Sequence, residues 1–175
     1  MCAAAESLSR KGPRVRRLIL VCPVNPYSPH GARLAPFLGS PFGAAGFRWV
    51  VGSMPFLFSY GHGRLYADPS KIPGDSLKGY EAPLATPGFF EHGLSIVKTW
   101  TADLKELKEL LPKFREVPTL LVWGDKDPAV YVSSMEPLAE NFATVKKIVF
   151  PGVGHLPYEE CPEQFNRAVI EFMTN

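Results

Sequence analysis

Two apolar runs in the C-terminal half of the chain stop abruptly at polar, glycine-bearing turns. Residues 119–123 (TLLVW) follow Pro118 and end at Gly124, Asp125, Asp127 and Pro128. Residues 147–150 (KIVF) end in Pro151-Gly152-Val153-Gly154, and His155 follows. Short aliphatic runs bounded by turn formers predict buried strands. A third run, residues 18–24 (LILVCPV), is continuously apolar, the pattern of a strand covered on both faces. Elsewhere the period becomes helical. Leu104, Leu107, Lys108 and Leu111 share one face of a helix opened by Thr101 to Leu104 and ended by Pro112. A helix over about 133–141 offers Met135, Leu138 and Ala139, although Pro137 restricts it. Phe165, Ala168, Val169 and Phe172 form the stripe of a last helix beginning at Pro162, and Met1 to Arg10 reads as helix stopped by Gly12-Pro13. Strands alternating with helices predict an α/β class with a parallel sheet.

Residues 25–98 have a different texture. They hold half of the 18 prolines and 11 of the 15 glycines, so neither long helices nor regular strands are expected there. Yet Phe37, Phe42, Phe47, Trp49, Phe56, Phe58, Tyr60 and Tyr66 are too apolar for a solvated linker. A compact, irregular lid with short helices accommodates both facts, with most of these aromatics in its core and a minority lining a pocket. His30, His62 and His92 lie here without ligand spacing and read as surface or packing residues.

Composition narrows the function. Hydrophobic residues at 46% and charged residues at 21% are ordinary for a soluble domain. A net charge of +2, with basic residues dispersed except at Arg14, Arg16 and Arg17, gives no reason to expect a nucleic-acid partner. No run approaches the ~18 apolar residues of a membrane span, so no membrane partner is expected. Cys2, Cys22 and Cys161 are an odd number without metal-like spacing, which predicts a reduced, cytoplasmic protein with no metal and no cofactor.

Asp127 and His155 each sit just past a strand end, 28 residues apart, which leaves room for one crossover helix. Strand ends are where loops converge on a crevice in open parallel sheets. These two segments resemble the last two strands of the α/β-hydrolase fold, and the resemblance makes Asp127 the triad acid and His155 the triad base. Asp125 is the runner-up acid and is expected to cap the turn instead. The order helix, Gly-Pro break, RVRRLILV also resembles the helix and strand that follow the nucleophile in that family. The resemblance therefore implies three parts: residues 1–24 as a remnant of the core, residues 25–100 as a cap inserted after that strand, and residues 101–175 as the C-terminal core. The fold class expected is the C-terminal part of an α/β-hydrolase fold, a parallel half-sheet with flanking helices and a helical or irregular cap.

The same resemblance places the nucleophile at or before Met1. No G-x-S-x-G occurs in the 175 residues. Ser76 lies in Gly74-Asp75-Ser76-Leu77, but it follows a Pro/Gly-rich loop rather than a strand, and Cys2 is preceded by neither a strand nor a glycine. The function implied is hydrolysis of an ester, epoxide or related carbon–heteroatom bond of a small-molecule substrate, with the nucleophile upstream, so the isolated chain is expected to be inactive. The alternative is a non-catalytic binding module or inactive fragment of such a hydrolase. An uncovered edge at residues 18–24 would favour self-association.

Overall fold

The computed structural model describes residues 15–28, 34–53 and 55–174. The helix expected at residues 1–10, together with Cys2 and His30, lies outside the described residues. Three parallel strands form the sheet, β1 (Leu18–Val21), β2 (Thr119–Gly124) and β3 (Val145–Phe150), in the order β1-β2-β3. Leu18 stands opposite Thr119, and Thr119 opposite Val145. The parallel half-sheet expected from the sequence is thus present.

Side chains alternate across a strand, so β2 feeds two cores. On one face Leu121 and Trp123 pack with Leu111, Phe114, Met135, Leu138 and Phe142. On the other, Leu120 and Val122 pack with Phe150, Val153, Ala168 and Phe172. Every residue of β2 is buried. The indole of Trp123 is satisfied inside, donating to the Val130 carbonyl at 2.8 Å.

The outer strands correct the sequence reading. β3 starts two residues before the expected run and is only partly buried. Lys146 and Lys147 reach solvent beside Glu171 and Glu136, at 2.8 and 2.7 Å. Lysines are what a strand at the rim of a sheet tolerates and a central strand does not. β1 is likewise half-buried rather than covered on both faces. It stops at Val21 because Cys22 turns to φ 43°, and Pro23 then has no N–H to continue a ladder.

The segment before β2 is more helical than its composition suggested. Five α-helices, α1 (Leu34–Gly39), α2 (Pro41–Ser53), α3 (Pro55–Gly63), α4 (Ser76–Glu81) and α5 (Phe89–Leu110), lie between β1 and β2 among the described residues. Pro41 and Pro55 are the first residues of α2 and α3, where a missing N–H is harmless and a fixed φ helps. The prolines are punctuation between helices, not a sign of irregular chain. Gly43 lets α2 approach α1, since a Cβ there would overlap the Phe37 carbonyl. α5 is 22 residues long and begins at Phe89, twelve residues before the expected Thr101, behind Gly88 at φ 80°. It runs unbroken to a short 3-10 turn that buries Leu111 and Phe114.

The lid aromatics do not form a core. Phe37, Phe42, Phe47, Trp49, Phe56 and Tyr60 are exposed, Phe42 at 88%, and Tyr66 alone of the eight is buried. The reason is architectural: among the described residues α1 packs chiefly on α2 and α5, and these aromatics point away from that contact.

Beyond β2, α6 (Met135–Ala139) follows a 3-10 turn, α7 (Pro157–Glu160) follows the His155 loop, and α8 (Pro162–Thr174) packs its expected stripe on the sheet. No helix among the described residues is long and apolar enough to cross a membrane.

Candidate active site

The turns after β2 and β3 are zipped together by backbone. The Asp125 N–H donates to the Phe150 carbonyl at 3.1 Å and the Lys126 N–H to the Val153 carbonyl at 3.0 Å. The Asp125 carboxylate accepts the Gly152 N–H at 2.7 Å, so this acid caps the turn, as the sequence suggested. Gly152 takes φ 67°, a conformation few other residues would adopt cheaply. Gly124 and Gly154 matter for a different reason, closeness. A Cβ at Gly124 would overlap the carbonyl oxygens of Val153 and Gly154, and one at Gly154 would overlap the Leu65 carbonyl.

These turns bring Asp127 and His155 into contact. Nδ1 of His155 lies 2.9 Å from Oδ2 of Asp127. The other carboxylate oxygen, Oδ1, accepts the N–H groups of Ala129 at 2.8 Å and Val130 at 2.9 Å. Burial acts to raise the Asp127 pKa, but the bond from His155 and then the Val130 and Ala129 amides outweigh it and hold it below the ordinary 3.8. Asp127 is therefore a buried anion with every contact directed at its charged form. It keeps the Nδ1 proton of His155 in place and leaves the Nε2 lone pair as the basic position. The imidazole is 24% exposed against 0% for the Asp127 side chain, so the imidazole is open to solvent on one side and the carboxylate is not.

Three participants escaped the sequence reading. Cys22, just past β1, packs its thiol against Asp127. Burial raises its pKa, the Gly124 amide acts in the opposite direction, and the charge and hydrogen bond of Asp127 raise it further. Cys22, Asp127 and His155 also form the one group among the described residues with the donors to hold a metal ion.

The other two are adjacent carboxylates on α7. Glu160 is buried and accepts three backbone N–H groups, from Gly154 at 2.8 Å and from Ala67 and Asp68 at 3.1 Å each. It ties the His155 loop to the stretch that follows α3. Glu159 faces α4 and the stretch before it, and accepts hydroxyls from Tyr66 at 2.5 Å, Ser76 at 2.6 Å and Tyr80 at 2.8 Å. Burial acts to raise the Glu159 pKa, and these three donors more than offset it, leaving it lowered. Nothing local in Tyr158-Glu159-Glu160 announces these roles, because every partner among residues 66–80 lies at least 79 residues away in sequence.

Ser76, the in-chain nucleophile candidate, belongs to this second cluster. Its Oγ is 3.2 Å from Nε2 of His62, but its hydroxyl is engaged by the Glu159 carboxylate. A relay needs the carboxylate on the far nitrogen of the imidazole, not on the serine. His62 is buried between the rings of Tyr66 and Tyr80, a packing residue as expected, and His92 is exposed. An apolar cavity of about 400 Å³ opens beside it, lined by Phe47, Leu57, Phe58, His62, Leu65 and Tyr80.

The model of the "Alpha/beta hydrolase family" matches residues 1–168. The chain is 29% identical over 87 residues to a 2-hydroxy-6-oxononadienedioate/2-hydroxy-6-oxononatrienedioate hydrolase of Paraburkholderia xenovorans, a match spanning 49% of this chain and 30% of that protein. It is 33% identical over 61 residues to Lipase 3 of a Moraxella species, spanning 35% of this chain and 19% of the lipase. Among solved structures, the haloalkane dehalogenase DatA of Agrobacterium tumefaciens superposes with a TM-score of 0.72 at 18% identity, over 98% of this chain and 64% of that one. The meta-cleavage product hydrolase CumD of Pseudomonas fluorescens gives 0.64 at 23% identity, over 98% and 60%. The chain spans under a third of the curated relatives it matches and about three-fifths of these structures.

Proposed function

The chain belongs to the alpha/beta hydrolase family, and from that premise we propose that His155 and Asp127 are the base and the orienting acid of a nucleophile–His–Asp triad. The observation that carries this reading is the 2.9 Å contact between Nδ1 of His155 and a buried, ionised Asp127 at the ends of neighbouring parallel strands. The nucleophile lies outside residues 1–175. In the proposed step on an ester, Nε2 of His155 takes the proton of a hydroxyl or thiol nucleophile as that group attacks the carbonyl carbon. The imidazolium so formed is stabilised by Asp127 and returns the proton to the leaving group, after which water repeats the sequence in reverse order. A carboxylate nucleophile opening an epoxide has no proton to give, and His155 there takes one from the water of the second step.

The substrate proposed is a small molecule carrying an ester, epoxide or related carbon–heteroatom bond, its apolar part seated in the cavity beside Leu65, whose carbonyl bonds the His155 backbone. A reducing, cytoplasmic setting belongs to the same reading, supported by Cys22 and Cys161 being free thiols.

The test is a coding sequence and a rate. A segment upstream of Met1, in frame, encoding a strand followed by a G-x-S or equivalent nucleophile turn is expected. Expressed as one chain with residues 1–175, it is expected to hydrolyse p-nitrophenyl esters at a rate that falls at least ~10³-fold in His155→Ala. No such segment and no turnover by the chain would overturn the proposal in favour of a binding module.

A further inference from the structure

Cys22, Asp127 and His155 come from the ends of three different strands, yet their ligating atoms all lie within 4.8 Å of one another. We propose that these three side chains hold a thiophilic divalent cation of the zinc class, and that the bound ion switches the His155–Asp127 pair off. The binding stands on this geometry alone, and only the switching rests on the hydrolase reading above.

The donor set is one sulfur, one carboxylate oxygen and one imidazole nitrogen, which suits zinc. Calcium and magnesium demand mainly oxygen ligands and would find a single carboxylate here. Zinc bonds of 2.0–2.3 Å at tetrahedral angles place ligand atoms about 3.3–3.7 Å apart. The Asp127–His155 contact at 2.9 Å would open by a few tenths of an ångström to admit the ion, and the thiol would close in. Cys22 and Asp127 are 3% and 5% exposed, while His155 is open on one side. That gives the ion a way in and leaves its fourth position to water, as in sites with three protein ligands. The outer support is already built. Oδ1 of Asp127 keeps the Ala129 and Val130 amides, so Oδ2 alone changes partner. Cys22 is the one non-glycine described residue with a positive φ, and the chain holds it there with its thiol on Asp127 rather than continuing β1.

Charge favours the exchange. Before the ion enters, the Asp127 carboxylate brings −1 and the Cys22 thiol no charge. Binding a dication with loss of the thiol proton brings the sum to zero, which suits a buried place. The accounting is one cation in and one proton out to solvent. The Nδ1 proton of His155 is exchanged for one on Nε2, so the ring stays neutral while Nδ1 binds the ion. With Nε2 protonated, His155 has no lone pair for a nucleophile's proton.

The test uses the reduced 1–175 chain and cobalt(II) as a visible stand-in for zinc. One equivalent is expected to give a thiolate-to-cobalt charge-transfer band and the visible bands of a four-coordinate ion, both bleached by one equivalent of zinc. Cys22→Ala is expected to abolish the charge-transfer band and weaken zinc binding at least tenfold, while Cys161→Ala and Cys2→Ala keep both. Should Cys22→Ala not fold, Cys22→Ser keeps the size and the donor to Asp127 and is expected to lose the same band. Absence of stoichiometric binding to the native chain, or a band that survives both Cys22 variants, overturns the proposal. Because no readout depends on turnover, metal binding and hydrolase activity succeed or fail separately.

Discussion

His155 donates its backbone N–H to the carbonyl of Leu65 at 2.7 Å, so the loop that carries its imidazole is fastened to a stretch ninety residues earlier in the chain. Glu160 reinforces the same junction from beneath, with Ala67 and Gly154 sharing one carboxylate oxygen and Asp68 taking the other. A glutamine cannot reproduce this pattern. Its carbonyl would serve Ala67 and Gly154, and its NH₂ would then face the Asp68 N–H, donor against donor. Glu160→Gln is expected to lower stability by about 1–3 kcal/mol in urea unfolding. Equal midpoints for variant and parent would show that the junction tolerates the mismatch.

Asp127 makes stability depend on acid. Its pKa is lowered on folding, so its contribution is fully present above the unfolded value near 3.8 and is lost as pH falls through the lower folded value. The Tm of the native chain is therefore expected to fall more steeply below pH 4 than that of Asp127→Asn, with the curves converging in strong acid. Parallel curves would contradict the ionised, hydrogen-bonded carboxylate described above. In the assembled enzyme the same variant turns an NH₂ toward Nδ1 and imposes the wrong tautomer, and kcat is expected to drop by roughly 10³–10⁴-fold.

Glu159 gathers Tyr66, Ser76 and Tyr80 onto one carboxylate. Glu159→Ala is expected to accelerate amide hydrogen exchange across residues 64–81 while leaving β2 protected. Unchanged exchange in that stretch would mean the cap is held by other contacts. Ser76→Ala removes one of the three donors and is expected to cost about 1 kcal/mol without altering hydrolysis in the assembled enzyme. A loss of turnover comparable to that of His155→Ala would restore Ser76 as a nucleophile.

The core and the His155–Asp127 pair were legible because their signals are local. Residues 119–123 and Phe150 run directly into G-D-K-D and G-V-G-H, and a strand followed by a polar turn fixes where a side chain emerges. β3 was half-legible: Lys146 and Lys147 mark a rim strand, but a reading keyed to Ile148, Val149 and Phe150 treats it as buried. The cap helices were hidden by their own starts, since Pro41 and Pro55 look like breakers until they are seen as first residues. Gly88 and Gly93 concealed the first turns of α5 in the same way. Cys22, Glu159 and Glu160 were not legible at all. Apart from Gly154, their partners lie from 79 residues away, for Tyr80 and Glu159, to 105, for Cys22 and Asp127, and no short pattern encodes such a meeting.

β1 presents an outer side with no partner strand among the described residues. Leu20, Pro23 and Val24 also line a mainly apolar groove with Ile96, Trp100, Asp103, Leu104 and Leu107 of α5. Nothing charged on β1 discourages pairing with another chain. The 1–175 chain alone is expected to be dimeric or larger by light scattering, and Leu20→Lys to shift it toward monomer. A native monomer with one sharp unfolding transition and no uptake of a hydrophobic dye would refute this.

α5 passes without a break from the lid region to the buried turn at Leu111 and Phe114. At 1.5 Å per residue its 22 residues make a rod about 33 Å long. Buried at one end and packed against α1, such a rod ties the position of Phe89 to that of the core: a tilt of about 10° at the Leu110 end would displace Phe89 by about 6 Å.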